Sequence, residues 1–264
     1  MDIDFDRVTA LIRQTKPLLL DSRKAAEITE KGRADYVTAV DLSVQSFLVD
    51  KLEALAPGIQ FVCEEGEPSR VDWDQPVWIL DPVDGTTNLI HDFHASAVSL
   101  GLWNGSAMEY GCVYNPFREE LYRAERGRGA FLNGERIHVS TAGTLAHSVV
   151  VVGTAPWDKS RADQVFRTIE EIFQSCEDIR RTGSAALDCC SVACGRAEGF
   201  FEYDLKPWDY AAGSLLVEEA GGRFTDLEGR GFRPDHRADL IATNGRIHQE
   251  LVDCLSRSAR REAQ

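Results

Sequence analysis

The sequence predicts a layered α/β sandwich built as two sub-domains, and three observations carry that prediction. Two segments with helical spacing of apolar residues open the chain. Strand-like runs broken by turn dipeptides then fill positions 95 to 140. From about 149 onward, strand and helix patterns alternate. The division falls near residue 145, with an α+β sub-domain at 1–145 and an α/β sub-domain at 146–264.

Each element has its own signal. Phe5, Val8, Leu11 and Ile12 share one helical face, so 5 to 28 reads as a helix perturbed at Pro17. Val40, Val44, Phe47, Leu48, Leu52 and Leu55 mark a second amphipathic helix, stopped by Pro57-Gly58. Residues 59–63 and 77–80 read as buried strands, and each runs straight into acids: Glu64-Glu65 and Asp81. A β-meander follows, turning at Asn104-Gly105, Asn115-Pro116 and Asn133-Gly134. In the second half, 149–152, 178–181, 198–203 and 239–243 read as strands. Helices are expected at 160–175, 184–194, 208–220 and from about 246, with a frayed RSARREAQ tail.

Composition narrows the function. Of 264 residues, 43% are hydrophobic and 27% charged, which describes an ordinary globular chain. Asp plus Glu outnumber Lys plus Arg by 43 to 29, for a net charge of −14. That field repels nucleic acid and anionic membrane, so neither is expected as a direct partner. It also repels a phosphate ester, so a phosphate-handling site here needs cations. The acidic N-terminus lacks the basic start and apolar core of a signal peptide, and no run is long enough to span a membrane. Seven Cys without CxxC spacing read as small buried hydrophobes in a reducing compartment. The expected location is the cytoplasm.

The densest chemical signal is DPVDGTTN at 81–88, which follows the apolar run VWIL. Asp81 and Asp84 can turn toward one point, with the Val83 carbonyl between them as a third oxygen donor. Gly85 admits a close ligand, Thr86 and Thr87 offer hydroxyls, and a helix starting there aims free N–H groups at a phosphate. A bare DxxDG is an ordinary solvated turn, but two further acids change the balance. Neighbouring strands place Glu64 or Glu65 beside Asp81. Asp209, in KPWDYAAGSLLVEEAGG, sits in the first turn of an alanine-rich helix. Four carboxylates near one point repel unless they share protons or bind cations. An all-oxygen set near phosphate selects Mg²⁺, and two such ions about 3.5–4 Å apart clamp an in-line displacement at phosphorus. Asp41, in DYVTAVD, and Thr86 are candidates to orient and deprotonate the attacking water, although Asp41 suits an N-cap equally well.

DPVDGTTN, CEEGEPS (63–69) and WDYAAGSLLVEEAGG (208–222) together resemble the inositol monophosphatase family. So do YVTAVD, GAFLNGERIHVS (129–140) and RRTGSAALD (180–188), in the family's order from about residue 5 to 250. The resemblance implies an αβαβα sandwich like that of fructose-bisphosphatases, Mg²⁺-dependent phosphatase activity, lithium sensitivity and a homodimer. It implies one metal on Glu64, Asp81 and the Val83 carbonyl, a second on Asp81, Asp84 and Asp209, and a third, weaker one near Glu64. Asp41 and Thr86 would handle the water, with Glu64 also catalytic, and the Gly85 and Thr86 amides would hold phosphate. Glu202 would contact substrate hydroxyls in a pocket lined by Gly183, Ser184 and Ala185. Lys31 would belong to the family's metal-site loop.

Weaker candidates read as structural. Asp158 in APWDKS is expected to cap a helix, and His91 and His94 to be structural or rim residues. Glu218 and Glu219 read as a solvated helix face, and Arg180 and Arg181 as ion-pairing residues at an inter-domain or dimer contact. The leading substrate is inositol monophosphate, favoured by Thr86-Thr87-Asn88. Alternatives are histidinol phosphate, fructose 1,6-bisphosphate, phosphoadenosine phosphate, or a non-catalytic role as a partner in a transcription complex.

Overall fold

The computed structural model describes residues 3–66, 70–231 and 233–262. Glu67, Pro68 and Ser69 of the CEEGEPS motif lie outside the described residues, as do the last two residues of the tail. The rest of that tail continues the final helix.

The opening helix is three short ones: α1 (Phe5–Arg13), α2 (Lys16–Leu19) and α3 (Ser22–Ala25). Pro17 is the cause of the first break, since it fits only the opening turn of a helix. Asp21 causes the second, because its carboxylate accepts from the Arg23 and Lys24 N–H groups and starts a new helix. A hairpin absent from the sequence reading follows, β1 (Ile28–Gly32) and β2 (Asp35–Thr38). β1 is mostly exposed, so it carries no buried-strand alternation to detect. α4 (Ala39–Leu55) then begins at Thr38, which is its N-cap. Asp41 closes the capping box from the third helical position, accepting from Thr38 N at 2.9 Å. The N-cap alternative for Asp41 is therefore corrected.

A seven-stranded sheet runs in chain order: β3 (Gln60–Cys63), β4 (Val77–Asp84), β5 (Ala97–Trp103), β6 (Met108–Asn115), β7 (Glu120–Glu125), β8 (Gly129–Leu132) and β9 (Glu135–Ile137). β3 and β4 are parallel and the other pairs antiparallel. The short helix α5 (Thr86–Ile90) leaves β4 through Gly85. The second half contains β10 (Val149–Val152), α6 (Ala162–Ser175), β11 (Asp178–Arg180), α7 (Ala185–Ala193), β12 (Gly199–Leu205), α8 (Pro207–Glu219), β13 (Arg223–Asp226), β14 (Ala238–Thr243) and α9 (His248–Glu262). Its five strands order as β11-β10-β12-β14-β13. β13 was not expected, since its RFTD carries one apolar residue.

Alternation along β4 explains the layering. Trp78 and Leu80 face Val8, Val44, Leu48 and Leu52 of the first helices. Val77 and Ile79 face the opposite way, toward Ala186, Cys189, Leu215 and Leu216 of α7 and α8. Phe200, Leu240 and Ala242 close that middle core from the second sheet. Val165, Ile172, Leu251 and Leu255 of α6 and α9 cover the far side against Phe201 and Ile241. The result is five layers, α-β-α-β-α. No described helix is long and apolar enough to cross a membrane. All seven cysteines are free thiols, four of them buried.

One close approach sets the position of the site. A Cβ at Gly111 would lie 2.7 Å from the Ala212 carbonyl oxygen, so only glycine lets α8 settle this close to β6. That contact brings the first turn of α8 over the end of β4.

Candidate active site

β4 is buried along its whole length and ends in Asp81, Val83 and Asp84. Parallel pairing of β3 with β4 sets Cys63 opposite Leu80, and Glu64 N donates to the Leu80 carbonyl at 3.1 Å. Glu64 therefore emerges beside Asp81. Glu65 turns aside: Gln45 grips its backbone, with Nε2 donating to its carbonyl at 2.6 Å, and its carboxylate accepts from Lys31 Nζ at 2.7 Å. α8 delivers Asp209, whose carboxylate accepts from Lys206 N at 2.7 Å.

Carboxylate oxygens of Asp81, Asp84 and Asp209 lie within 4.8 Å of one another. Burial pushes the Asp81 carboxyl well above the usual range, and Glu64, Asp84 and Asp209 push it further. Asp209 is raised for the same reasons, burial first and then Asp84 and Glu64. Burial raises Glu64 to about 7 despite the opposing charge of Lys31. Asp84 reaches only about 6, because Ser184 and backbone amides offset its burial. Burial and mutual repulsion make negative charge costly here, a cost that a bound cation would relieve. The donors are all oxygen, so the set fits a hard divalent cation.

Thr86 meets Asp41, the other member of the expected water-handling pair, and the Val83 carbonyl. Its hydroxyl lies 3.1 Å from Asp41 Oδ1 and 3.0 Å from the Val83 carbonyl oxygen. Asp41 is fully buried, and that burial raises its carboxyl. Its other oxygen accepts from the Thr38 hydroxyl at 2.6 Å. A cleft of about 290 Å³ opens over these groups, lined among others by Gly85, Thr86, Gly183 and Asp209.

Glu202 forms the floor of a smaller recess that shares Asp84, Gly183 and Asp209 with the cleft. Its carboxylate accepts from Thr154 N at 3.1 Å and Ala155 N at 3.2 Å, and burial lifts it to about 7. Gly153 makes room for it: a Cβ there would fall 1.9 Å from Glu202 Cδ. Gly183 and Ala185 line the recess, but Ser184 does not. Ser184 is buried, and its hydroxyl donates to Asp84 at 2.5 Å while accepting from Leu187 N as the α7 cap.

Other residues settle in place. Lys31 bridges Glu65, Glu64 at 3.4 Å and Asp35 at 3.5 Å. Burial opposes its charge, yet the three acids hold its pKa above the usual lysine value. Asp158 caps a 3₁₀ turn that leads into α6. His91 and His94 are exposed, His91 on the cleft rim and His94 stacked on Phe117. Glu219 corrects the solvated-face reading, because it accepts from Gly127 N and Gly129 N at 2.8 Å each. Glu218 is exposed and lies 3.3 Å from Arg126. Arg180 pairs locally with Asp178. Arg181 instead lines the cleft, donates to Thr154 Oγ1 at 3.0 Å, and offsets the charge of Glu202 and Asp188.

Lys206, Trp157 and Asp188 are among the lining residues that escaped the sequence reading. Lys206 sits with Nζ 5.8 Å from the Trp157 ring and 5.4 Å from the Trp208 ring, on the cleft wall beside Asp209. Trp157 forms the same wall, and Asp188 lies buried in the Glu202 recess. The signal for Lys206 was its place three residues before Asp209, within reach of the helix start.

Comparison with known proteins finds extensive similarity to one family. The Inositol monophosphatase family model matches residues 5–261. "Nus factor SuhB" of Salmonella typhimurium is 41% identical over 243 residues, covering 88% of this chain and 90% of that protein. The "Inositol-1-monophosphatase" of Synechocystis is 39% identical, covering 88% of this chain and 81% of that protein. The crystal structure of extragenic suppressor protein suhB from Bartonella henselae superposes with a TM-score of 0.88 at 34% identity, covering 95% of this chain and 98% of that one. With the five-layer fold, the clustered carboxylates and a match over nearly the whole length, this chain belongs to the inositol monophosphatase family.

Proposed function

We propose that the chain is a Mg²⁺-dependent phosphatase that hydrolyses a small phosphorylated polyol, with inositol monophosphate the leading substrate. The observation that carries this reading is the convergence of Asp81, Asp84 and Asp209 beside the Gly85-Thr86 turn. Asp81, Asp84 and Asp209 would hold one ion, and Glu64, Asp81 and the Val83 carbonyl another, with room for a third near Glu64. When bound, Mg²⁺ supplies the positive charge that admits a phosphate dianion to this acidic cleft and favours in-line attack at phosphorus.

The protein's own groups do the rest. Thr86 Oγ1 and Asp41 Oδ1 lie close enough to orient a water and take its proton, and the burial that raises Asp41 makes it a better base. The Gly85 and Thr86 amides would donate to phosphate oxygens. Glu202, Gly183 and Ala185 shape the recess for the leaving group, where Glu202 would accept from hydroxyls. A homodimer, a cytoplasmic location and lithium sensitivity belong to the same proposal, as does the absence of direct nucleic-acid and membrane contacts.

Phosphate release measured with inositol monophosphate, histidinol phosphate, fructose 1,6-bisphosphate and phosphoadenosine phosphate tests the reading. Turnover of inositol monophosphate that needs Mg²⁺ supports it, and no turnover of any of the four sinks it. A second reading, a non-catalytic partner in a transcription complex, is favoured by the name "Nus factor" borne by the SuhB relatives. It predicts capture of transcription proteins by Asp209→Asn as efficiently as by wild type.

A further inference from the structure

The first helical layer covers only part of the sheet beneath it. α1 packs on β6, where Phe5 stacks on Tyr110 at 4.7 Å and the Thr9 and Tyr110 hydroxyls lie 2.9 Å apart. Beyond β6 the same sheet face runs out from under the helix. Strand register lines up Cys112, Arg123, Phe131 and Arg136 in one row, and directly opposed residues share a face. Cys112 is buried beneath the helices. Arg123 and Phe131 of that row border a cavity of about 480 Å³ between α1 and the strands, whose walls also include Arg13, Arg128 and Glu125.

Its charge runs against that of the chain. Within a protein of net charge −14, three guanidinium groups face this cavity and one carboxylate does. Arg123 is held between Asp6, at 2.5 Å, and Glu125. Arg128 reaches the second Glu125 oxygen at 3.3 Å. Arg13 has no carboxylate partner among the described residues. It donates to the Asn133 side-chain oxygen at 3.5 Å and lies 6.0 Å from the Tyr114 ring. Arg136 extends the patch at the rim, 5.2 Å over the Phe131 ring.

A solvated sheet face ordinarily mixes both signs. Here four cations gather against two acids, around a concavity within the size range of small-molecule sites. Guanidinium forks match phosphate oxygens in pairs, and an aromatic floor suits a planar group. None of the cavity's lining residues belongs to the carboxylate cleft. We propose that this cavity is a second ligand site that binds a nucleoside diphosphate, with Arg13 and Arg128 on the phosphates and the base against Phe131.

The test is calorimetric titration of ADP into full-length protein freed of metal on a chelating resin, so that the carboxylate cleft has no cation to hold phosphate. The expected result is one binding event that weakens as salt rises. Arg13→Gln and Arg128→Gln should each raise Kd at least 5-fold, with melting temperature and Mg²⁺-dependent phosphatase activity unchanged. Asp209→Asn should leave Kd as in wild type, and AMP should bind at least 5-fold more weakly than ADP. The proposal fails if ADP does not bind at millimolar concentration. It also fails if Asp209→Asn abolishes binding while Arg13→Gln preserves it.

Discussion

The Ser184 hydroxyl donates to Asp84 Oδ2 at 2.5 Å, and Ala186 N adds a second bond to the same oxygen at 2.8 Å. These bonds cross the molecule, from the cap of α7 to the end of β4. With a further bond from the Ala185 amide, they offset part of the burial that raises the Asp84 carboxyl.

Ser184→Ala should therefore weaken the cation site more than the fold. Groups that orient a metal-binding side chain typically contribute about 10-fold or more in metal affinity. The Mg²⁺ concentration for half-maximal activity should rise by roughly that factor, and activity at saturating Mg²⁺ should stay close to wild type. Ser184→Thr should restore much of the loss. A Mg²⁺ titration of initial rates decides it, and an unchanged midpoint would assign the hydroxyl to helix capping alone.

Asp81→Asn and Asp209→Asn should each eliminate turnover yet melt above wild type when all are metal-free. Both carboxyls are raised by burial and by their acidic neighbours, so removing one relieves repulsion. In Asp81→Asn, the side-chain amide oxygen would keep the acceptor that Val83 N now uses at 2.9 Å. Saturating Mg²⁺ should invert the order, because only wild type gains full stabilisation from binding. Melting curves of the three proteins with and without Mg²⁺ check this. A metal-free variant that melts below wild type would contradict a repulsive cluster.

Glu202→Gln should change how stability depends on pH. Burial lifts the carboxyl from 4.5 to about 7 in the folded chain. Between those values the folded state holds a proton that the unfolded state has released, so stability falls as pH rises across the window. The glutamine variant lacks this loss. Its metal-free melting temperature should gain on wild type from pH 5 to about pH 7 and level off above that. The same substitution should raise KM for inositol monophosphate about 10-fold. A generic aryl phosphate, without hydroxyls to read, should be hydrolysed as before. Parallel pH profiles for the two proteins would show that Glu202 does not titrate in this range.

Gly153→Ala should damage the same recess from behind. Its Cβ would overlap Glu202. Overpacking of this kind typically costs about 1–3 kcal/mol. The variant should melt lower than wild type and lose discrimination between inositol monophosphate and the aryl phosphate. Pairing it with Glu202→Ala, which vacates the space, should recover most of the stability. If the double variant is no more stable than Gly153→Ala, the clash lies elsewhere.

Much of the fold was legible because its signals are local. The continuous apolar run VWIL, the apolar stripe of α4, the turn dipeptides of the meander and the Pro-led start of α8 each act within a few residues. DPVDGTTN was legible for the same reason: a strand end, a glycine and a helix start leave its acids few directions to point. Helix breaks at Pro17 and Asp21 and the exposed β1 hairpin blurred the first 38 residues, because little of that segment is buried in a regular pattern.

The sequence by itself determined which acids were available and that Asp81 and Asp84 sit at a strand end, since backbone geometry over four residues does that work. Only the tertiary structure decided between Glu64 and Glu65, through the parallel register of β3 on β4. Only it turned Ser184 onto Asp84, enclosed Glu202 against the Thr154 and Ala155 amides, and set Glu219 to bind Gly127 and Gly129. The physical reason is separation along the chain. These partners lie 47 to 100 residues apart, so their meeting depends on sheet register and on how closely α7 and α8 pack between the sheets, which no local pattern of residues encodes.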